Sequence, residues 1–197
     1  LCKRSSEMDE LKFAVIGNPV SHSLSPDIHL FFASQFQLER YTYNKLKSNE
    51  NDFERDINDF FKNGGVGLNV TVPFKGLAYN LCDKLDQSAG LCKSVNTVLI
   101  DSGKLIGHST DGQGLIDDFL HKEITLEDSK ILIIGAGGSA ASIISSLLSH
   151  GKIKEISILN RTKSNALRLL DLFETNRLLM HEEGDEHDVV INTTPMS

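Results

Sequence analysis

The chain has 197 residues, 40% of them hydrophobic, which is enough for one large or two small domains with real cores. A formal charge of -7 argues against nucleic acid or an anionic membrane as main partners, because both demand concentrated Lys and Arg; here Lys62, Lys75, Lys84 and Lys93 are scattered among acids. No apolar run reaches the length of a membrane helix, and residues 1–10 lack the apolar core of a signal peptide and read as a flexible extension.

In chain order, residues 11–16 predict a strand. Ser25 is placed to cap a helix, with Pro26 at its first position and Ile28, Phe31, Phe32 and Phe36 along one face. Residues 41–46 read as a second strand. Residues 52–62 read as a helix with Phe53, Ile57, Phe60 and Phe61 inward, ended by Gly64-Gly65; its phenylalanine stripe reads as core, not as a ligand platform. Residues 66–72 form the next strand, where side-chain alternation puts Val70 and Val72 in the core and leaves Asn69 and Thr71 together on the other face. Pro73 lacks an N–H and stops the ladder, releasing Phe74 and Lys75 into a loop or helix start. Such a strand end builds a polar site with a lysine at its rim. The plainer alternative is a strand with a solvated face and a surface lysine.

A helical stretch is expected from there through residue 85, then a hairpin of residues 95–100 and 104–107 around Asp101-Ser102-Gly103. Residues 111–120 begin a helix with Leu115, Ile116, Phe119 and Leu120 apolar. No repeat or low-complexity linker marks a boundary, so the break is placed between Thr110 and Asp111, giving domains of residues 1–110 and 111–197.

The second half carries a strand, glycine turn and helix. The apolar run Ile131-Leu132-Ile133-Ile134 feeds Gly135-Ala136-Gly137-Gly138-Ser139-Ala140 before a long stretch of Ala, Ile, Ser and Leu. Glycine permits the positive φ of a tight turn and lets the backbone approach a pyrophosphate, whose charge meets the N–H groups and dipole of the helix. The third glycine of the usual dinucleotide fingerprint is replaced by Ala140 or Ala141. About 25 residues after Gly135, the next strand ends in Asn160-Arg161-Thr162, where an NAD binder usually carries an acid for the ribose 2′-hydroxyl. A guanidinium holds a phosphate through a fork of hydrogen bonds, so Arg161, helped by Lys163, favours the 2′-phosphate of NADP. The competing reading is a strand-end arginine that stays in water.

These motifs together resemble the shikimate dehydrogenase family. The resemblance runs from about Phe13 to Ser197. It includes Ile16-Gly17-Asn18-Pro19, then Ser21-His22-Ser23-Leu24-Ser25-Pro26, the stretch from Asn69 to Lys75, Ser94-Val95-Asn96-Thr97, Ser109-Thr110-Asp111-Gly112, the glycine loop, and Asn160-Arg161-Thr162. It implies an α/β protein of two domains: an N-terminal substrate domain and a Rossmann-like NADP-binding domain, incomplete at its C-terminus, with substrate at the carboxyl ends of parallel strands in the cleft between them.

The implied reaction is the reversible NADP-dependent reduction of 3-dehydroshikimate to shikimate in aromatic amino-acid biosynthesis. Lys75 and Asp111 match the family's catalytic pair, with Lys75 as proton donor and acceptor and Asp111 orienting it. Ser23 and Ser25 resemble its carboxylate-binding hydroxyls, while Asn69, Thr71 and Asn96 resemble groups that hydrogen-bond the ring hydroxyls. Ser25 also reads as a plain helix cap, and the two roles are compatible. Cofactor contacts fall on Gly135, Ala136, Gly137, Gly138, Ser139, Ala140, Asn160, Arg161, Thr162 and Lys163. The chain departs from the family pattern at Ser109, usually Asn, and at Asn165, usually Arg. It also stops at Ser197, short of a segment that in the family supplies a glutamine to the substrate and a helix to the first domain, so a C-terminally truncated chain with little activity is expected. Two other readings stand beside this one: a quinate/shikimate dehydrogenase accepting NAD, and a non-catalytic NADP-sensing or interaction module of the same fold.

Cys2, Cys82 and Cys92 lack CxxC spacing, and the seven histidines form no HExxH or similar pair. No metal and a reducing, cytoplasmic setting are expected. The oligomeric state is left open.

Overall fold

Two sheets organise the chain in the computed structural model, which describes residues 10–194. In chain order the first elements are β1 (Leu11–Gly17), α1 (Ser25–Gln35), β2 (Tyr41–Lys47), α2 (Phe53–Lys62), β3 (Gly65–Val70), α3 (Lys75–Leu81), β4 (Lys84–Leu85), α4 (Gln87–Cys92), β5 (Thr97–Asp101) and β6 (Lys104–His108). Their six-stranded sheet has the order β2-β1-β3-β5-β6-β4. Strands β1, β2 and β3 run parallel, joined by helical crossovers, and β5 returns antiparallel to β3. The expected hairpin is present, but its turn is only Ser102 and Gly103, both at positive φ, because Asp101 is the last residue of β5.

The remaining elements are α5 (Asp111–His121), β7 (Lys130–Ile134), α6 (Gly138–His150), β8 (Glu155–Leu159), α7 (Lys163–Phe173), β9 (Leu178–Met180) and β10 (Val189–Asn192). Here four strands, all parallel, take the order β10-β7-β8-β9, the arrangement of a Rossmann half with one added strand. Their core is aliphatic: Ile131, Ile133, Ile144, Leu147, Ile156 and Ile158 are fully buried. On β10, Val190 is 58% exposed while its neighbour Ile191 is buried.

The compact units do not meet at a single cut. One comprises the chain through Lys84 together with Val95–Gly107; the other takes Leu85–Ser94, which contains α4, and the chain from His108 onward. The expected unbroken helical stretch to residue 85 is instead α3, the short strand β4 and then α4. The helix breaks after Leu81, where Cys82 takes extended backbone; Asp86, also extended, then starts α4, its carboxylate accepting from the Ala89 N–H at 2.8 Å.

Two further expectations are corrected. Val72 is 46% exposed and not in the core. The strand ends at Val70, Phe74 N–H turns back to the Thr71 carbonyl, and Phe74 takes the buried place against Phe53 with ring centroids 4.9 Å apart. Ser25 is not the cap of α1: it is the first helical residue, and its own N–H donates to Ser23 Oγ at 3.2 Å. The apolar faces of α1 and α2 part company. Phe53, Ile57 and Phe61 are buried on α2 with Phe60 half-buried, whereas Ile28, Phe31, Phe32 and Phe36 on α1 are 48–76% exposed. The expected N-terminal extension, apart from Glu10, and Cys2 lie outside the described residues.

Candidate functional site

In the first unit, four of the five residues expected to meet substrate form one string of hydrogen bonds. Ser23 Oγ donates to Ser25 Oγ at 3.1 Å, and Ser25 in turn bonds the Tyr43 phenol. Tyr43 O–H donates to Asn69 Oδ1 at 2.7 Å. The Asn69 amide then donates to Thr97 Oγ1 at 3.2 Å, and Thr97 donates to Asn96 Oδ1 at 3.1 Å. Each hydroxyl or amide points its proton to the next group, so rotamers are fixed one by another. Amide and hydroxyl groups offer both donors and acceptors, which suits them to a polyhydroxylated ligand.

Tyr43 and Thr97 are the links that the sequence reading missed. Tyr43 lies opposite Phe13 and Asn69 opposite Val15, on the two strands that flank β1. Phe13 and Val15 share a face, so the phenol reaches across β1 over two inter-strand spacings, roughly 10 Å, a span within a tyrosine's reach. Its ring stacks on His29 at 4.3 Å, and burial pushes the phenol up to about 12, partly offset by the bond from Ser25. Burial also lowers the His29 imidazole below its ordinary range. Strand alternation puts Tyr43 on one face of β2 with Tyr41, Lys45 and Lys47, and nothing in that pattern singles out its phenol.

Thr71 lies outside this string. It follows the last residue of β3, donates its N–H to the Ile16 carbonyl, and fills the space beside Gly17, where any Cβ would collide with its methyl group. Lys75 opens α3, half-buried, and its carbonyl accepts from the Val95 N–H at 3.0 Å, which ties the helix start to the segment carrying Asn96.

In the second unit the glycine loop turns as its sequence requires. Gly135 sits at φ +113°, and a Cβ there would strike Thr193 Oγ1; only glycine satisfies both conditions. Ala136 and Ala140 are buried, whereas nothing lies within 4 Å of where a Cβ on Gly137 would stand, leaving its backbone open to a ligand. Gly138 begins the 13-residue α6, and Ser139 is in its first turn. The Gly135 N–H donates to the Leu159 carbonyl at 2.9 Å, which fastens the loop beside the end of β8. There Asn160 donates to the Thr162 carbonyl at 2.8 Å and shapes the turn that carries Arg161 and Lys163, both exposed. The open backbone at a helix start beside two exposed cations fits a dinucleotide with an extra phosphate.

Asp111 opens α5, and its Oδ2 accepts from Ser139 Oγ at 3.2 Å, tying the carboxylate to the glycine loop. The approach of α5 to α6 makes this contact. A Cβ on Gly112 would collide with Ser142 backbone and Ser146 Oγ, and Ser142 Oγ accepts from both the Gly112 N–H at 3.0 Å and Ser109 Oγ at 2.8 Å. Ser109, the departure from the family pattern, therefore has a local partner. Its backbone is braced in turn by Ser88, which donates to the Ser109 carbonyl at 2.8 Å and also bonds Asp86.

Residues 15–98 match the family described as "Shikimate dehydrogenase substrate binding domain", and residues 119–196 match "Shikimate / quinate 5-dehydrogenase". The chain is 40% identical over 193 residues to the shikimate dehydrogenase (NADP(+)) of Acinetobacter baumannii, covering 94% of this chain and 73% of that one. It superposes on the shikimate dehydrogenase of Aquifex aeolicus with a TM-score of 0.85 at 30% identity, covering 94% of this chain and 69% of the other. With the Thermus thermophilus shikimate 5-dehydrogenase, crystallised with NADP(H) and shikimate, the TM-score is 0.83 at 31% identity, over 93% of this chain and 68% of that one. No helix among the described residues is long and apolar enough to cross a membrane.

Proposed function

The chain belongs to the shikimate dehydrogenase family, and from that premise we propose how its residues divide the NADP-dependent interconversion of 3-dehydroshikimate and shikimate. The observation that carries the division is the string from Ser23 to Asn96. It gathers residues from four separate segments into one oriented polar array that no structural need of the fold accounts for.

In this reading the first unit takes the substrate. Ser23 and Ser25 hold its carboxylate, and Asn69, Asn96 and Thr71 its hydroxyls, with Tyr43 and Thr97 locking their rotamers. The second unit takes NADP. With Gly135 making the turn, backbone N–H groups from Ala136 to Ala140 face the pyrophosphate, and Arg161 with Lys163 holds the 2′-phosphate, in a turn shaped by Asn160 and Thr162. NADPH, when bound, supplies the hydride. Lys75 gives a proton to the carbonyl oxygen in reduction and accepts it in oxidation, and Asp111, held by Ser139, is the second member of the catalytic pair. A cytoplasmic setting suits this chemistry and the free thiols of Cys82 and Cys92.

The test is spectrophotometric reduction of NADP by shikimate, with quinate and NAD as parallel arms, on the full-length protein and its Asp111→Asn variant. Turnover should prefer shikimate with NADP; Asp111→Asn should slow it and shift its pH profile while leaving the Kd for NADP unchanged. Preference for quinate with NAD, or NADP binding without turnover of either acid, would overturn the assignment.

A further inference from the structure

The segment joining β9 to β10 is eight residues long and contains no helix. Its sequence, His181-Glu182-Glu183-Gly184-Asp185-Glu186-His187-Asp188, has five acids and two histidines. One ligand atom from each of His181, Asp185 and His187 lies within 4.8 Å of the other two. We propose that these three side chains form a binding site for a divalent first-row transition cation such as zinc or cobalt.

Two ring nitrogens make the case. His181 Nδ1 and His187 Nε2 are both buried from solvent and have no hydrogen-bond partner, although an unsatisfied buried polar atom costs about 1–3 kcal/mol. Their ring centroids stand 5.3 Å apart, with the planes tilted by 51°. The carboxylate stands beside them, with Asp185 Oδ2 3.6 Å from His181 Nδ1. Ligands around a tetrahedral zinc, at about 2.0–2.1 Å from the metal, stand roughly 3.3 Å apart. The His181–Asp185 pair is near that separation already, and the third ligand closes with a movement of about 1.5 Å or less.

The segment is built to make that movement. His181 is anchored by its N–H to the Ile158 carbonyl on β8 at 3.0 Å, and Asp188 by its N–H to the Lys130 carbonyl on β7 at 2.9 Å. Between them, Gly184 at φ +96° has nothing within 4 Å of its Cβ position. Asp185 Oδ2 accepts from the Glu182 N–H at 2.8 Å, an outer contact of the kind that orients a metal-binding carboxylate. Two imidazoles and one carboxylate favour zinc, cobalt or nickel over magnesium or calcium, and the exposed Glu182, Glu183 and Glu186 add a field attractive to cations. The sequence reading expected no metal because the spacing, three residues and then one, falls in a loop and matches no helical ligand pair. The site would clip a helix-free crossover to the sheet at both ends.

The test is titration of the untagged wild-type protein with Co2+, read by visible d–d absorption and calorimetry, and with Zn2+, read by histidine-selective 15N spectra. One saturable site is expected, with Zn2+ shifting only the His181 and His187 ring nitrogens. His181→Gln, His187→Gln and Asp185→Asn should each weaken Co2+ at least tenfold, while His150→Gln, on the C-terminal end of α6, leaves it unchanged. Absence of saturable binding, or equal affinity in all variants, would show an ion pair of His181 with Asp185 and no metal site. The 15N spectra need no substitution, so they decide the matter even if a variant folds poorly; shifts at other histidines alone would overturn the proposal.

Discussion

In the first unit the candidate site is made of side chains, each fixed by the next from Ser23 to Asn96. In the second it is made of backbone, a glycine turn and a helix start, with side chains only at its border. The two designs fail differently. A side-chain string loses one bond at a time and leaves a buried partner unsatisfied, whereas a backbone cradle tolerates changes at its border and fails where a Cβ is added.

The sharpest way to break this comparison is at the chemical step itself. Lys75→Met should fold and bind NADP yet lose roughly 10²- to 10⁴-fold in turnover, the range for a positioned acid–base group. Single-turnover rates within a few-fold of wild type would remove Lys75 from that role.

At the border of the cradle, Arg161→Ala should weaken NADP by about 1.5–3 kcal/mol and leave NAD nearly untouched. Equal weakening of both cofactors in calorimetry would make the arginine structural and the cradle less tolerant than argued. Inside the second unit, Gly112→Ala should cost about 1–3 kcal/mol of stability, because the added methyl meets the Ser142 backbone, which cannot swing aside, as well as Ser146 Oγ. It should also lower turnover by pushing Asp111 from Ser139. Denaturant unfolding with a parallel assay checks both, and an unchanged midpoint would mean that α5 and α6 yield.

The smallest effect is expected in the side-chain string. Tyr43→Phe removes the bonds to Asn69 and Ser25 but keeps the stack on His29, and should cost about 1 kcal/mol of stability while raising KM for shikimate more than it lowers kcat. It also carries a pH signature. The folded phenol titrates near 12 against an ordinary value of 10, so its contribution is complete below pH 10 and is lost as pH rises toward 12. Wild type should therefore lose stability more steeply over that window than Tyr43→Phe; parallel alkaline limbs in the two proteins would contradict the burial of this group. Cys82, which burial raises to about 11, contributes equally to both and cancels in the comparison.

Much of this was legible in the sequence wherever a local rule governs. The strands Glu155–Leu159 and Lys130–Ile134, the positive φ at Gly135 and the helix Gly138–His150 follow from apolar runs and glycine chemistry that need no distant partner. The buried stripe of α2 follows from its spacing in the same way. On α1 the same spacing aligns apolar residues that are exposed, because spacing shows that a face is apolar and is silent on what covers it.

The sequence by itself determined the glycine turn, the parallel nucleotide strands, the candidate polar residues around Asn69 and the lysine after Pro73. Only the tertiary structure decided that Tyr43 belongs with them, because its reach to Asn69 depends on β1 lying between β2 and β3, an order no local pattern encodes. The same is true of Asp111, whose bond to Ser139 exists because Gly112 and Ser142 let two helices touch, and of His181 and His187, whose rings a crossover brings to 5.3 Å from each other. The physical reason is common to all three. A turn or a helix is fixed by bonds among near neighbours, whereas a site assembled from separate elements is fixed by how those elements pack.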